Sequence, residues 1–308
     1  MPDRTVTRLP VGSPGEGPYA VVIDPDETVW VTLVHSGRVA AVRRNGDVGV
    51  HDLGNPACRP SQLTIGPDGA VWCTRNGDDR IDRVTPDGAR TSVALPEGVG
   101  PYGITAGPDG ALWFTAIGAE AIGRLEVDGT VSMIDLPGDG GLPAMITTGP
   151  GGALWFTLNR VGALGRADTD GSITLHRLPD PGCGPVGITG GESGLWFTEI
   201  NAGRVARLTT SGQLRELDLP DRAARPHAVA ALPDGGCWVS LWAAHGLVRL
   251  SERGDVTDVV DLVAGDEPHG LAVAPDGTVV VAAESGFLVQ VQPCRRDGVN
   301  PAGTGWLR

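Results

Sequence analysis

The sequence predicts an all-β fold, a seven-bladed β-propeller with four-stranded blades, on three observations. A proline recurs seven times at a nearly constant step, each step holds four short β-rich runs, and the strand missing from the last repeat stands at the start of the chain. The proline falls at 18, 60, 101, 143, 185, 226 and 268, in steps of 42, 41, 42, 42, 41 and 42 residues. Periods of this size belong to propeller blades or to helical arrays. Helical repeats show apolar faces at i, i+3 and i+4, and these repeats do not.

The repeats open near residues 17, 59, 100, 142, 184, 225 and 267. After the proline comes an alternating run, such as Gly103-Ile104-Thr105-Ala106, then a Pro-Asp-Gly turn. A β-rich run follows, such as Leu112-Trp113-Phe114-Thr115; the third resembles Arg204-Val205-Ala206-Arg207, and the fourth ends in Leu-Pro, as at Leu219-Pro220. Runs of 4–8 β-branched and aromatic residues between turn signals read as strands, and four per period make a blade. Repeat seven reaches its third run at Phe287-Leu288-Val289-Gln290 and then loses the pattern. The run from Arg4 to Pro10 has the Leu-Pro ending that is missing there. It is expected to complete blade seven and close the ring, making 1–308 a single domain.

Tryptophan recurs at 30, 72, 113, 155, 196 and 238, with Val280 in the seventh slot. One large residue per blade at a fixed place is expected in the core between sheets. Arg83, Arg124, Arg166, Arg207 and Arg249 form a second series, with Ala41 and Gln290 in blades one and seven. They are expected to bridge neighbouring blades, and the Pro-Asp-Gly segments to be hairpin turns instead of calcium loops.

Composition narrows the function classes. A formal net charge of -13 repels a phosphate backbone and argues against nucleic acid. No run of 18 apolar residues and no apolar leader after Met1 stand in the sequence, so neither a membrane span nor a signal peptide is expected. Five cysteines without metal-type spacing fit a reduced, cytoplasmic setting with mostly buried thiols. A closed ring leaves few sheet edges to pair, so a monomer is expected.

Function is expected where the repetition breaks. The residue after the shared proline holds one ring position at a channel mouth: Tyr19, Ser61, Tyr102, Ala144, Val186, His227 and His269. Two of the six histidines fall there, in adjacent blades. The end of the second strand supplies another ring at the same mouth: Val34, Asn76, Ile117, Asn159, Ile200, Trp242 and Glu284. Blade seven therefore offers Glu267, His269 and Glu284 together, with His227 next door. Two carboxylates can hold a hard divalent cation such as magnesium. A neutral histidine beside them can serve as a base near pH 7. Tyr19, Tyr102, Trp242 and Ile117 are candidates for an apolar mouth, Tyr19 close to His269 once the ring closes. No Gly-x-Ser-x-Gly elbow is present, which argues against an ordinary esterase. In blade seven, Val279-Val280-Val281 replaces the tryptophan-centred run and changes the packing beneath Glu284.

The PYGI- and LWFT-type repeats, with Pro226-His227-Ala228, Glu267-Pro268-His269-Gly270 and Ala282-Ala283-Glu284, resemble the streptogramin B (virginiamycin B) lyases. The likeness covers nearly the whole chain. It implies inactivation of cyclic depsipeptide antibiotics, a small-molecule substrate, by elimination at the lactone ester. It further implies that Glu267 and Glu284 hold Mg²⁺, that His269 is the general base, and that His227 contacts substrate near the ester. Two rivals stand beside it: a metal-dependent lactonase on a propeller, of a type with six blades and more carboxylates, and a non-catalytic binding scaffold.

Overall fold

Twenty-eight short strands close a ring of seven four-stranded antiparallel sheets in the computed structural model, which describes residues 4–138 and 140–293. Blades one to six follow chain order from the channel outward. Blade seven has the order Pro268–Val273, Val279–Ala283, Phe287–Val291 and then Val6–Pro10. The closing strand pairs Val6 with Val291 and Pro10 with Phe287, as the Leu-Pro ending predicts. The tail from Cys294 lies outside the described residues; Cys58, Cys73, Cys183 and Cys237 are buried free thiols. Among the described residues no helix is long and apolar enough to cross a membrane.

The core lies between sheets, where each blade's second strand is almost wholly buried. Trp30, Trp72, Trp113, Trp196 and Trp238 are buried as expected, while Trp155 is half-buried against His176. Val279, Val280 and Val281 are likewise buried: Val279 and Val281 pack among Trp238, Leu271 and Val289, while Val280, in the tryptophan slot, packs with Val29, Val31 and Leu33 of blade one.

One expectation is corrected. Four of the five series arginines stay within their own blade: Arg83 pairs with Asp68, Arg124 with Asp109, Arg166 with Asp168 and Arg249 with Asp234. Only Arg207 crosses, to Glu252 of blade six. For Arg83, Arg124 and Arg249 the reason is the turn aspartate between the first two strands of the same blade. Blade four has Gly151 in that slot, and Arg166 turns to Asp168 at the end of its own strand. Asp68 and Asp109 each also accept the Nε1–H of their blade's tryptophan, at 3.0 and 3.1 Å. The Pro-Asp-Gly motif is thus a turn that also anchors the core indole.

Two repeated devices position the channel mouth. In every blade the register between the first two strands shifts over the three residues from the shared proline, as between Pro268 and Leu271. Such a bulge re-aims the residue inside it, and that residue is the ring position. A hydroxyl on the second strand then ties the bulge to the next blade. Thr198 Oγ1 accepts from Gly187 N at 2.9 Å and donates to His227 O at 2.8 Å. Ser240 Oγ accepts from Ala228 N at 2.9 Å and donates to His269 O at 2.7 Å. Blade seven carries Ala282 in this slot, so the stitching ends where the ring closes. There Gly270 permits a close approach instead: a Cβ on it would lie 2.8 Å from the carbonyl oxygen of Tyr19.

Candidate active site

The bulges converge Tyr19, Tyr102, His227 and His269 on the channel axis, from blades one, three, six and seven. The Tyr19 and Tyr102 hydroxyls meet at 2.6 Å across the channel, and Tyr19 Oη lies 3.5 Å from His227 Nε2. The His269 ring sits 4.5 Å from Tyr19 and 4.9 Å from His227, the two imidazoles nearly perpendicular. Trp242 joins at 6.2 Å from His269, with the Arg225 guanidinium on its ring. Ile117 is not part of this aromatic set and packs beside Gly100.

Glu284 projects into the same group. One carboxylate oxygen is 2.5 Å from His269 Nε2, and the other is 2.7 Å from His35 Nε2. The backbone N–H of Glu284 donates to Glu267 O at 3.1 Å, which locks the two acid-bearing segments side by side. Glu267, His269 and Glu284 each offer a ligand atom, and all these atoms lie within 4.8 Å of one another. Ligands on opposite sides of a Mg²⁺ ion are separated by about 4.2 Å. Side chains at 4.8 Å need only a small rotation to reach that spacing, so this donor set fits a hard divalent ion. His35, in blade one, was not among the sequence candidates. A signal was available, since it stands one residue past the second ring, beside the blade-seven junction.

Electrostatics separates the roles. The hydrogen bond from His269, aided by His35 against the opposing effect of burial, pulls Glu284 down to about 2. It is a carboxylate throughout the working range. Burial foremost, then the neighbouring His269, pushes His227 down to about 3, so this imidazole stays neutral. Burial and the Tyr102 contact raise the Tyr19 phenol well above its usual value. His227 Nδ1, His269 Nδ1 and Trp242 Nε1 are buried without a hydrogen-bond partner. Such orphans at a converging site are costly and are expected to meet a ligand.

The neutral His227 makes stability pH-dependent. Its native value lies below the unfolded one of about 6.5, so its contribution is complete above pH 6.5 and is lost from pH 6.5 down towards 3. At pH 5 the loss is about 2 kcal/mol relative to pH 7.5. Urea unfolding at the two pH values is expected to show this difference in wild type and a smaller one in His227→Gln. Equal differences in the two proteins refute the assignment.

The chain is similar to known proteins over nearly its whole length. The sequence profile described as the Virginiamycin B lyase family matches residues 4–291. A virginiamycin B lyase from Nocardia farcinica is 40% identical over 75 residues, which span 24% of this chain and 26% of that relative. The chain therefore aligns with about a quarter of the length of this curated relative. Structural likeness extends further: virginiamycin B lyase from Staphylococcus aureus superimposes with a TM-score of 0.90 at 34% identity, covering 94% of this chain and 100% of that one. A catalytically inactive histidine-to-alanine form of the Staphylococcus aureus enzyme, with quinupristin, superimposes with a TM-score of 0.90 at 33% identity and the same coverage.

Proposed function

The chain belongs to the virginiamycin B lyase family, and from that premise we propose that it linearises streptogramin B type cyclic depsipeptides by eliminating the lactone ester, with Mg²⁺ as cofactor. The observation that carries the reading is the meeting of His269, Glu284, Glu267 and His227 at one mouth.

His269 takes the proton from Cα of the ester-bearing threonine. Its Nε2–H is donated to the Glu284 carboxylate, so the free lone pair is on Nδ1, which has no partner in the protein and is the atom that receives the proton. The Glu284 carboxylate at 2.5 Å then stabilises the imidazolium that forms. The electron pair left on Cα forms the Cα–Cβ double bond, and the ester carboxylate departs from Cβ. The ring opens, one residue becomes a dehydro residue, and no water is added. Glu267 and Glu284 would hold the metal ion, which when bound supplies Lewis-acid stabilisation to the negative charge beside Cα. Neutral His227, with an unpartnered nitrogen, supplies a hydrogen bond to the ester. Tyr19, Tyr102 and Trp242 form an apolar aromatic floor that carries the macrocycle and excludes water. Resistance to the antibiotic follows from loss of the ring.

A propeller lactonase shares the metal but not this base, since water and not carbon loses the proton. Mass spectrometry after incubation of a streptogramin B with protein and Mg²⁺ decides between them. A linear product of unchanged mass is expected. A product heavier by one water establishes the lactonase, and an intact macrocycle refutes both enzymes and leaves the scaffold.

A further inference from the structure

We infer that Asp266 is a positioning residue for the acid pair, clasping both glutamate-bearing segments to the strand that closes the ring. The inference deepens the proposed lyase reading and rests on it for its link to Mg²⁺. Asp266 directly precedes Glu267, and Ser285 directly follows Glu284. The Asp266 side chain is 1% exposed, and its Oδ1 accepts from both Ser285 Oγ and Arg8 Nη2, the latter at 2.6 Å. One carboxylate oxygen thus joins the two segments that carry the acids.

The third member comes from the far end of the sequence. Arg8 lies on the closing strand opposite Val289, and its guanidinium also covers the Phe287 ring at 3.9 Å. Val11 N donates to Gly286 O at 3.1 Å, so the same end of the chain holds the backbone after Glu284. On the other side His245 Nδ1 lies 2.7 Å from Asp266 O, tying the segment to blade six. Without Arg8 the Asp266 carboxylate is a buried charge with no cationic partner, and the segments around it must rearrange.

Ligand-orienting partners are worth 10- to 100-fold in metal affinity, and this arrangement belongs to that class. The geometry has a directional consequence. Glu267 and Glu284 stand just past the strand pair Pro268–Ala283 and are joined there by one backbone hydrogen bond, so the bridge from Asp266 to Ser285 closes the far side of the two segments.

The test compares wild type with Asp266→Ala, Ser285→Ala and Arg8→Met, the last keeping apolar length over Phe287. Mg²⁺ titration by calorimetry and hydrogen exchange of segments 262–270 and 283–288 are the readouts. Asp266→Ala is expected to weaken Mg²⁺ binding by about 10-fold or more and to speed exchange in both segments together. Saturating Mg²⁺ is expected to restore kcat to within about two-fold. Unchanged affinity, or faster exchange in 262–270 alone, overturns the inference, even if thermal stability falls. If wild type takes no Mg²⁺, the metal reading of the site fails, and the exchange data alone decide whether Asp266 clasps the two segments. Should Asp266→Ala fail to fold, Ser285→Ala carries the same readouts, because it cuts the bridge and leaves the Arg8–Asp266 pair intact.

Discussion

His269→Ala is expected to leave a streptogramin B macrocycle intact, with turnover reduced by about 10³-fold or more at saturating Mg²⁺. A positioned base contributes about 10²–10⁴-fold, and the other two imidazoles are placed differently, His35 on the far oxygen of Glu284. The nearest imidazole, His227, is 4.9 Å away and neutral, but burial pushes it down to about 3, which makes it a poor proton acceptor. Glu284 is a still weaker base, held at about 2 by the very histidine it supports. Alanine also removes the ring that packs on Tyr19 at 4.5 Å, so binding must be separated from chemistry. Calorimetry with the antibiotic does this: His269→Ala should still bind within about ten-fold of wild type while forming no product. Turnover that survives at a tenth of wild type or more places the base elsewhere and ends the mechanism proposed above.

Much of this site was legible because a propeller turns sequence period into angular position. A shared proline at a near-constant step puts each following residue at the same height around one axis, so Tyr19, Tyr102, His227 and His269 could be compared as members of one ring. The structure brings these four together, with Trp242, Glu267 and Glu284 beside them. Period alone does not reveal what a side chain touches. The repeat spacing of the arginine series suggests bridges between blades, yet Arg83, Arg124 and Arg249 pair with the turn aspartate 15 residues earlier, and only Arg207 of the series reaches the next blade. Nor does period reveal that the hydroxyls of Thr198 and Ser240, two residues before the second ring, hold the carbonyl of the next ring residue. His35 lay one residue outside the positions compared. Arg8 and Asp266 are 258 residues apart, and only closure of the ring makes them neighbours.

The two glutamates can be told apart by how their loss responds to Mg²⁺, which tests the site from the metal side. Glu284→Gln keeps the shape of the side chain, one carbonyl oxygen for one imidazole, and the backbone bond to Glu267 O. It removes the charge that holds a divalent ion and that stabilises protonated His269. Loss of a ligand should weaken Mg²⁺ by at least about 100-fold, since even partners of ligands cost 10–100-fold. Glu267→Gln should weaken Mg²⁺ comparably, but the 2.5 Å contact with His269 Nε2 belongs to Glu284 alone of the pair. Excess Mg²⁺ is therefore expected to restore kcat in Glu267→Gln to near wild type. In Glu284→Gln a deficit of about 10–10²-fold should persist at any Mg²⁺ concentration, because the imidazolium has lost its counter-charge. Full restoration of both variants leaves Glu284 as a ligand only and removes it from the proton transfer. Indifference of both to Mg²⁺ removes the ion from the reaction and leaves two imidazoles and a carboxylate to carry it.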